Sequence, residues 1–427
     1  MIFHVDANSF YASCERLFRP DLRDKPIAVL SNNDGIIVAL TKECKALGLK
    51  RGNTYFKVKN FCQSNGVQVF SSNYTLYADM SWRLNSIYSL FAQRYEIYSI
   101  DESFLYLPEM ESSEYSSVAH KLKEMAQQYT GIPVSVGIAP TKTLAKICNK
   151  LAKKNGGVFN WLDCDPDSTL KGYPVEDVWG IGRSKAHWLK SHGIKNCLEL
   201  KNMGLDLAKK YLTIAGMNTV LELNEKPAID FVSRQKSKNI CSSRSFRECV
   251  YNFQEIEKAL VYFCSIAVNK MRGEKQRCAY VYVTLGTAAP IETDFNPKIH
   301  YFNGVGKKLS HPTSFMPEIL ATTIELAGYI FRRGYGYRKA SVSLLALEPD
   351  VETPRLFETQ ETHQQHKQDL AMQAVDRVNL RYGTQTVKMA AGINNPVSIP
   401  TNGSWELKRD FKSPNYTTRV SEFPIAR

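Results

Sequence analysis

The sequence predicts an α+β chain of several domains. Three observations carry this: strand-like and helix-like segments alternate from Ile2 to Lys154, the polar and basic stretch SRQKSKN stands at 233–239, and a second strand-helix order begins beyond it. At 427 residues with 43% hydrophobic content, the chain has room for about three domains with packed cores.

The elements follow in order. Ile2 to Asp6 is an apolar strand with its acidic residue at the end, and a helix opens near Ser9 or Ser13. PIAVLS is a second strand, Asn32-Asn33-Asp34-Gly35 a turn cluster, Ile36 to Leu40 another strand, and a helical stretch ends at Gly48. Residues 74–94 carry apolar side chains at three- and four-residue spacing, the mark of an amphipathic helix. EIYSI and FLYL read as strands joined by a hairpin whose tip holds Asp101 and Glu102. A helix near 114–129, the strand PVSVGIA and a basic helix from Thr141 to Lys154 complete this layer, ended by Asn155-Gly156-Gly157. From Val175, two helices flank Gly180-Ile181-Gly182. Beyond the basic linker come strand (241–249), helix (254–272), strand (278–286), a strand near 298–302, helix (316–332) and strand (339–347), a separate small α+β domain. The tail, 350–427, is rich in Gln, Thr, Asn and Pro, with one helix near 365–380.

Lys+Arg 55 against Asp+Glu 42 gives a formal net charge of +13, which favours a polyanion such as nucleic acid over an acidic protein as partner. No stretch approaches the ~18 apolar residues of a membrane span. Polar residues enter MIFHVDANSF too early for a signal peptide, so the expectation is a cytoplasmic protein without a membrane partner. The ten cysteines form no C-x-x-C pair and no zinc spacing, and read as reduced small hydrophobes.

In YSIDESFLYL, Asp101 and Glu102 stand side by side, and a regular strand would send them to opposite faces. Both reach one point only if the chain bends there. Acidic residues on a turn are ordinary by themselves; Asp6, a third carboxylate at the end of a neighbouring strand, changes the weight. Three converging carboxylates repel unless cations bind, and Mg²⁺ takes oxygen ligands. Two such ions, roughly 3.5–4 Å apart, clamp the attacking and leaving oxygens of an in-line phosphoryl displacement. That is nucleotidyl-transfer chemistry. A triphosphate needs further cations, for which Lys42, Lys45, Lys153 and Lys154 are candidates, each equally readable as a solvated helix face. Gly180 and Gly182 with Arg183 and Lys185 offer amides and charge to a DNA backbone, or a plain helical turn. Arg244 and Arg247, with Arg234, Lys236 and Lys238 of the linker, provide a second basic strip.

Taken together, DANSFYASCE, SNNDG with ECKALG, SSNYTLYADMS, YSIDESF, VGIAPTKTLAKICNKLAKKNGG and VWGIGRSKAHWL resemble the Y-family, or translesion, DNA polymerases. Within that family the chain is most similar to the UmuC branch, from Met1 to SPNYTTR. The resemblance implies a right-hand polymerase with palm at 1–10 and 79–168, fingers at 11–78, helix-hairpin-helix thumb at 169–232, linker at 233–239, little finger at 240–349 and a C-terminal partner-binding tail at 350–427. It implies Asp6, Asp101 and Glu102 as the catalytic ligands of two Mg²⁺ ions, with the carbonyl of Ala7 completing one site. Tyr11 becomes the steric gate against a 2′-hydroxyl, and Lys45, Lys153 and the amides of Phe10 and Tyr11 become triphosphate contacts. Primer-template DNA and dNTP are the implied substrates, and error-prone synthesis past damaged bases in the SOS response the implied activity.

For the tail the resemblance implies a processivity (beta) clamp, a UmuD′-like homodimer and RecA as partners. TPRLF resembles a clamp peptide in its Leu356-Phe357 pair but lacks the leading glutamine. Asn8 stands where many relatives outside the branch have an acid, Lys42 replaces a tyrosine and Lys45 an arginine, a point charge instead of a planar fork. An accessory protein that kept the fold and lost catalysis would lack a carboxylate. A palm-type nucleotide cyclase would leave Gly180-Ile181-Gly182 and the basic terminal domain without a role.

Overall fold

The computed structural model describes residues 1–231, 236–287, 301–350, 360–383, 386–387, 389 and 408–423, with only the backbone of 360–365. The chain forms two compact units, Met1–Ser233 with Arg409–Arg427, and Arg234–Lys408. Among the described residues no helix is long and apolar enough to cross a membrane.

In the first unit β1 (Ile2–Ala7) leads into α1 (Phe10–Leu17), followed by β2 (Ile27–Leu30), β3 (Ile37–Leu40), α2 (Lys42–Ala46), α3 (Tyr55–Ser64) and β4 (Gln68–Ser71). Then come α4 (Tyr74–Tyr88), β5 (Arg94–Ile97), β6 (Glu102–Tyr106), α5 (Ser112–Thr130), β7 (Val134–Ala139), α6 (Lys142–Ala152) and β8 (Val158–Asn160). Four helices, α7 (Pro166–Lys171), α8 (Arg183–Ser191), α9 (Cys197–Lys201) and α10 (Leu205–Leu223), complete the regular elements of its continuous part.

Five strands form one sheet in the order β5-β6-β1-β7-β8, with β1 antiparallel to both neighbours. Alternation along β1 divides its side chains between two faces. Phe3 and Val5 join Leu105, Val136 and Ile138 in a core shared with α4 and α5. His4 and Asp6 leave the opposite face with Glu102, Phe104, Ser135 and Gly137. There α6 lies close: a Cβ on Gly137 would stand 2.2 Å from the Asn149 nitrogen and 2.3 Å from the Ala145 carbonyl oxygen. A smaller sheet, β3-β2-β4, packs its own core of Leu30, Ile37, Cys44 and Cys62.

The second unit holds β9 (Ile240–Val250), α11 (Phe253–Gly273), β10 (Gln276–Thr287), β11 (Phe302–Thr313), α12 (Met316–Ile330), β12 (Tyr337–Pro349) and α13 (Gln360–Tyr382). Its antiparallel sheet runs β11-β10-β12-β9, and α11 and α12 share one core with it.

Several expectations are corrected. The helix expected over 74–94 stops at Tyr88, because the chain has to turn at Ser89 and Leu90 to return as β5. Both α3 and β4 escaped notice, since α3 buries only Tyr55 and Cys62 and β4 has four residues. In front of Gly180 there is one 3-10 turn, Val175–Asp177, instead of a helix. The strand expected near 298–302 is β11, which runs on to Thr313, its glycines and lysines having hidden the alternation; residues 298–300 lie outside the described residues.

The tail expected at 350–427 is not one segment. In the second unit Met372 of α13 enters the core and Asp376 accepts from Arg272 at 2.9 and 2.6 Å, whereas Arg409–Arg427 belongs to the first unit. Leu356 and Phe357 lie outside the described residues, as does Arg234 of the linker. Linker residue Ser237 is tied to the second unit by its amide, which donates to Glu274 at 2.8 Å.

Candidate active site

The acidic site begins with sheet register. Asp6 and Glu102 are direct partners across β1 and β6, and opposed residues in an antiparallel pair share a face. The amides of Tyr98 and Ser99 both donate to the Glu102 carbonyl, at 3.1 and 3.0 Å, and close the hairpin. Only Asp101 occupies the loop; Glu102 is the first residue of β6, so the pair is split between tip and strand. The Asp101 carbonyl accepts the Ala7 amide at 2.9 Å, which ties the loop to the end of β1. Its carboxylate accepts from the Ser99 hydroxyl at 2.5 Å.

Across this face runs one side of α6. Lys142, Lys146, Asn149 and Lys153 recur at spacings of four, three and four, the period of a single helix face. Their ammonium groups meet three acids in turn: Lys142 lies 2.7 Å from Glu96, Lys146 2.5 Å from Glu102 and Lys153 2.6 Å from Asp6. Between them Asn149 donates to the carbonyls of His4 at 2.8 Å and Ser135 at 2.7 Å. Three rings also hold Lys146, with centroids at 4.6 Å (Tyr98), 5.4 Å (Trp179) and 5.8 Å (Phe104). At the start of the helix Glu222 of α10 accepts from the Thr143 amide at 2.7 Å, a carboxylate at the positive end of the dipole.

Burial acts against charge on both strand carboxylates, with opposite outcomes. For Asp6 it prevails over Lys153, and repulsion from Glu102 and Asp101 adds to it, so the carboxyl titrates above its ordinary value. For Glu102 burial is outweighed by the contacts of His4 and Lys146, and the carboxyl titrates below its ordinary value. Burial lowers His4 to about 4, so at neutral pH its ring is uncharged and Lys146 is the cation beside Glu102.

Three carboxylates and a backbone carbonyl are hard oxygen donors of the kind Mg²⁺ takes, and a cation would offset the burial, and the lesser repulsion from Glu102 and Asp101, that raise Asp6. Among the described residues, however, no three acidic, His or Cys side chains converge at coordination distance. The carboxylates are instead engaged by Lys153, Ser99 and Lys146. The donor set suits the ion, and Lys146 and Lys153 lie beside those donors.

Tyr11 on α1 lies flat on Tyr77 of α4, with ring centroids 4.4 Å apart and planes 12° from parallel, and meets Tyr74 edge-on at 5.9 Å. Phe10 and Tyr11 open α1, where no side chain caps the first amides. Lys42 and Lys45 are exposed on α2 and make no ion pair among the described residues, and of the lysines expected to meet phosphate only Lys153 reaches a carboxylate. Lys146, His4 and Tyr77 were not foreseen. A signal for Lys146 existed in the four-three-four spacing, but which strand lay beneath that stripe was not legible.

The expected DNA contacts divide between the units. In the first, Gly180 has φ 85°, a left-handed conformation that favours glycine, and Gly182 caps α8 without a side-chain bond. Arg183 is exposed and Lys185 half-buried on the first turn of α8. In the second, Arg244 and Arg247 leave opposite faces of β9, being three residues apart. Arg244 turns to α11, donating to the Tyr262 hydroxyl at 3.1 Å, whereas Arg247 is exposed.

Residues 5–150 match the model described as the impB/mucB/samB family, 237–356 match that family's C-terminal domain, and 370–426 match a domain of unknown function, DUF4113. The chain is 35% identical to Protein UmuC of Salmonella typhimurium over 98% of each chain. It is 31% identical to DNA polymerase IV of Corynebacterium diphtheriae over 47% of this chain and 45% of that one. Among solved structures it is similar to a Y-family DNA polymerase chimera, Dbh-Dpo4(243-245)-Dbh, with a TM-score of 0.64, 21% identity, and coverage of 82% of this chain and 99% of that one.

Proposed function

We propose, from the premise that the chain belongs to the impB/mucB/samB family of Y-family translesion DNA polymerases, that it extends primers past damaged bases by nucleotidyl transfer at the face shared by Asp6 and Glu102. The observation that carries this is the register at one end of β1: Asp6 stands opposite Glu102 on one face of the sheet, and the backbone of the Asp101 loop is tied to Ala7.

Asp6, Asp101, Glu102 and the Ala7 carbonyl are the residues that would hold two Mg²⁺ ions. When bound, such ions lower the pKa of an attacking hydroxyl and offset charge on the leaving oxygens. Lys146 and Lys153 balance the carboxylates, and the same charges are available to the triphosphate of a dNTP. Lys45 and the open amides of Phe10 and Tyr11 serve the same anion from the other side of α1. Tyr11 excludes a 2′-hydroxyl by bulk, and Tyr77 beneath it keeps the ring from moving away. His4 lies behind Glu102, its Nε2 3.5 Å from the carboxylate, and helps to hold that group charged.

In this reading the five-stranded sheet is the palm, the three-stranded sheet the fingers, α7 to α10 the thumb and the second unit the little finger. Gly180, Gly182, Arg183 and Lys185 contact primer-template DNA from the thumb. Arg247 offers charge to phosphates from the open side of its sheet, and Arg244 stiffens the strand from behind. Binding of this kind weakens steeply with salt. The similarity to UmuC over the whole chain supports a role in the SOS response, in the cytoplasm, with a UmuD′-like homodimer, RecA and a beta clamp, the last through Leu356 and Phe357.

Primer extension on undamaged and abasic templates with Mg²⁺ tests the reading. The unaltered chain extends the primer, and Asp101→Ala with Glu102→Ala abolishes extension while DNA binding persists. Extension that survives the double substitution rejects this site; DNA binding without any extension by the unaltered chain points to an accessory protein.

A further inference from the structure

Residues 409–423 return to the first unit and run along the elements that surround Tyr11. The segment extends the edge of the small sheet: Ser71 and Lys412 form a parallel bridge, the Ser71 amide donates to the Phe411 carbonyl at 3.0 Å, and the Phe411 amide donates to the Ser71 hydroxyl at 3.0 Å. Asp34 accepts the Asp410 amide at 2.9 Å, Phe411 meets Tyr55 edge-on at 5.9 Å, and Tyr416 stacks on Phe18 at 4.7 Å.

At the centre of this contact is buried Ser413. Asn73, the N-cap of α4, donates its amide to the Ser413 carbonyl at 3.2 Å, the Ser413 hydroxyl at 3.0 Å and the Pro414 carbonyl at 3.1 Å. One turn later on the same helix, the Tyr77 hydroxyl donates to Glu15 at 2.6 Å. The segment thus touches both helices of the tyrosine stack, α4 through Asn73 and the end of α1 through Tyr416 on Phe18. A segment that only covered apolar surface would not need an asparagine giving its amide to three oxygens beneath it.

We propose that residues 409–423 are a strap that sets the sugar-selecting tyrosine, with Ser413 as a positioning residue that acts through Asn73 and Tyr77 of α4 on Tyr11. This assigns a task to part of the segment matching a domain of unknown function, and it rests on the reading of Tyr11 as the gate. Loss of the Ser413 hydroxyl loosens the N-terminal turn of α4, so the tyrosine pair widens and both dNTP fit and sugar selection suffer.

The test is single-nucleotide insertion by the full chain, with dCTP and rCTP opposite guanine. Ser413→Ala raises KM for dCTP and lowers discrimination against rCTP by about fivefold each, the worth of one hydrogen bond, while kcat, DNA affinity and melting temperature stay near the unaltered values. Asn73→Asp, isosteric but without the donating amide, reproduces the effect and serves if Ser413→Ala folds poorly. Folded variants with unchanged KM and discrimination overturn the strap. Failure of the underlying reading looks different: the unaltered chain extends no primer, or Tyr11→Ala leaves discrimination unchanged. In that event calorimetric binding of dCTP decides, and equal affinity with and without Ser413→Ala overturns the proposal.

Discussion

Asp6 and Glu102 face each other across β1 and β6, yet their carboxyls titrate in opposite directions. At Asp6 burial prevails over Lys153, whereas at Glu102 it is outweighed by His4 of β1 and then by Lys146 of α6. Lys146, held by three aromatic rings, stands beside Glu102, whereas Lys153 lies at the exposed end of the helix and Asp6 also feels both neighbouring acids. The helix thus brings one ammonium group to each of the two acids.

Close packing of α6 on the sheet depends on Gly137. A methyl group there meets backbone atoms of Asn149 and Ala145, which cannot rotate aside. Gly137→Ala is expected to lower stability by about 1–3 kcal/mol and to reduce primer extension by displacing Lys146 and Lys153 together. Urea denaturation and extension rates measure both; a variant as stable and active as the original means that the helix is not held as described.

Lys142 and Glu96 form a buried pair, with side chains 1% and 6% exposed. Removing one partner strands the other charge, so Lys142→Met is expected to cost about 3–5 kcal/mol. Adding Glu96→Gln recovers part of that loss. A double-mutant cycle by chemical denaturation reads the difference, and an additive pair of effects contradicts the coupling.

Tyr11→Ala is expected to raise incorporation of ribonucleotides relative to deoxyribonucleotides, because the ring on Tyr77 no longer fills the space beside the sugar. Competition of rCTP with dCTP in primer extension gives the ratio. No change in it removes Tyr11 from sugar selection.

Glu15 makes stability depend on pH. Burial raises its carboxyl from 4.5 to about 7, partly opposed by Tyr77, Ser413 and Lys412, and its Oε2 is buried without a hydrogen-bond partner among the described residues. Because the folded value is the higher one, the folded chain binds the extra proton between these values. The contribution is full below 4.5 and is lost as pH rises through about 7, at most ~3 kcal/mol. Glu15→Gln is expected to flatten stability between pH 4.5 and 7. Melting curves across that range check it, and an unchanged slope rules Glu15 out as the source.

Much of this architecture was legible in the sequence. Alternation in IFHVD and PVSVGIA, the spacing in 74–94 and the bend at Asp101 locate strands, a helix and a hairpin, because local period and turn chemistry act over a few residues. So were the three carboxylates, since charge inside an apolar strand needs a reason. The chain's own order could not show which cation meets which acid. That Lys146 reaches Glu102 and Lys153 reaches Asp6 depends on the placement of α6 over β1 and β7, which a glycine in a strand permits but does not announce. Likewise, a polar stretch near residue 413 reads as tail, and only tertiary packing brings it back across some 340 residues to Asn73. Sequence determined most of the elements and the acids; the long-range contacts, formed between groups with no local relation, decided their partners.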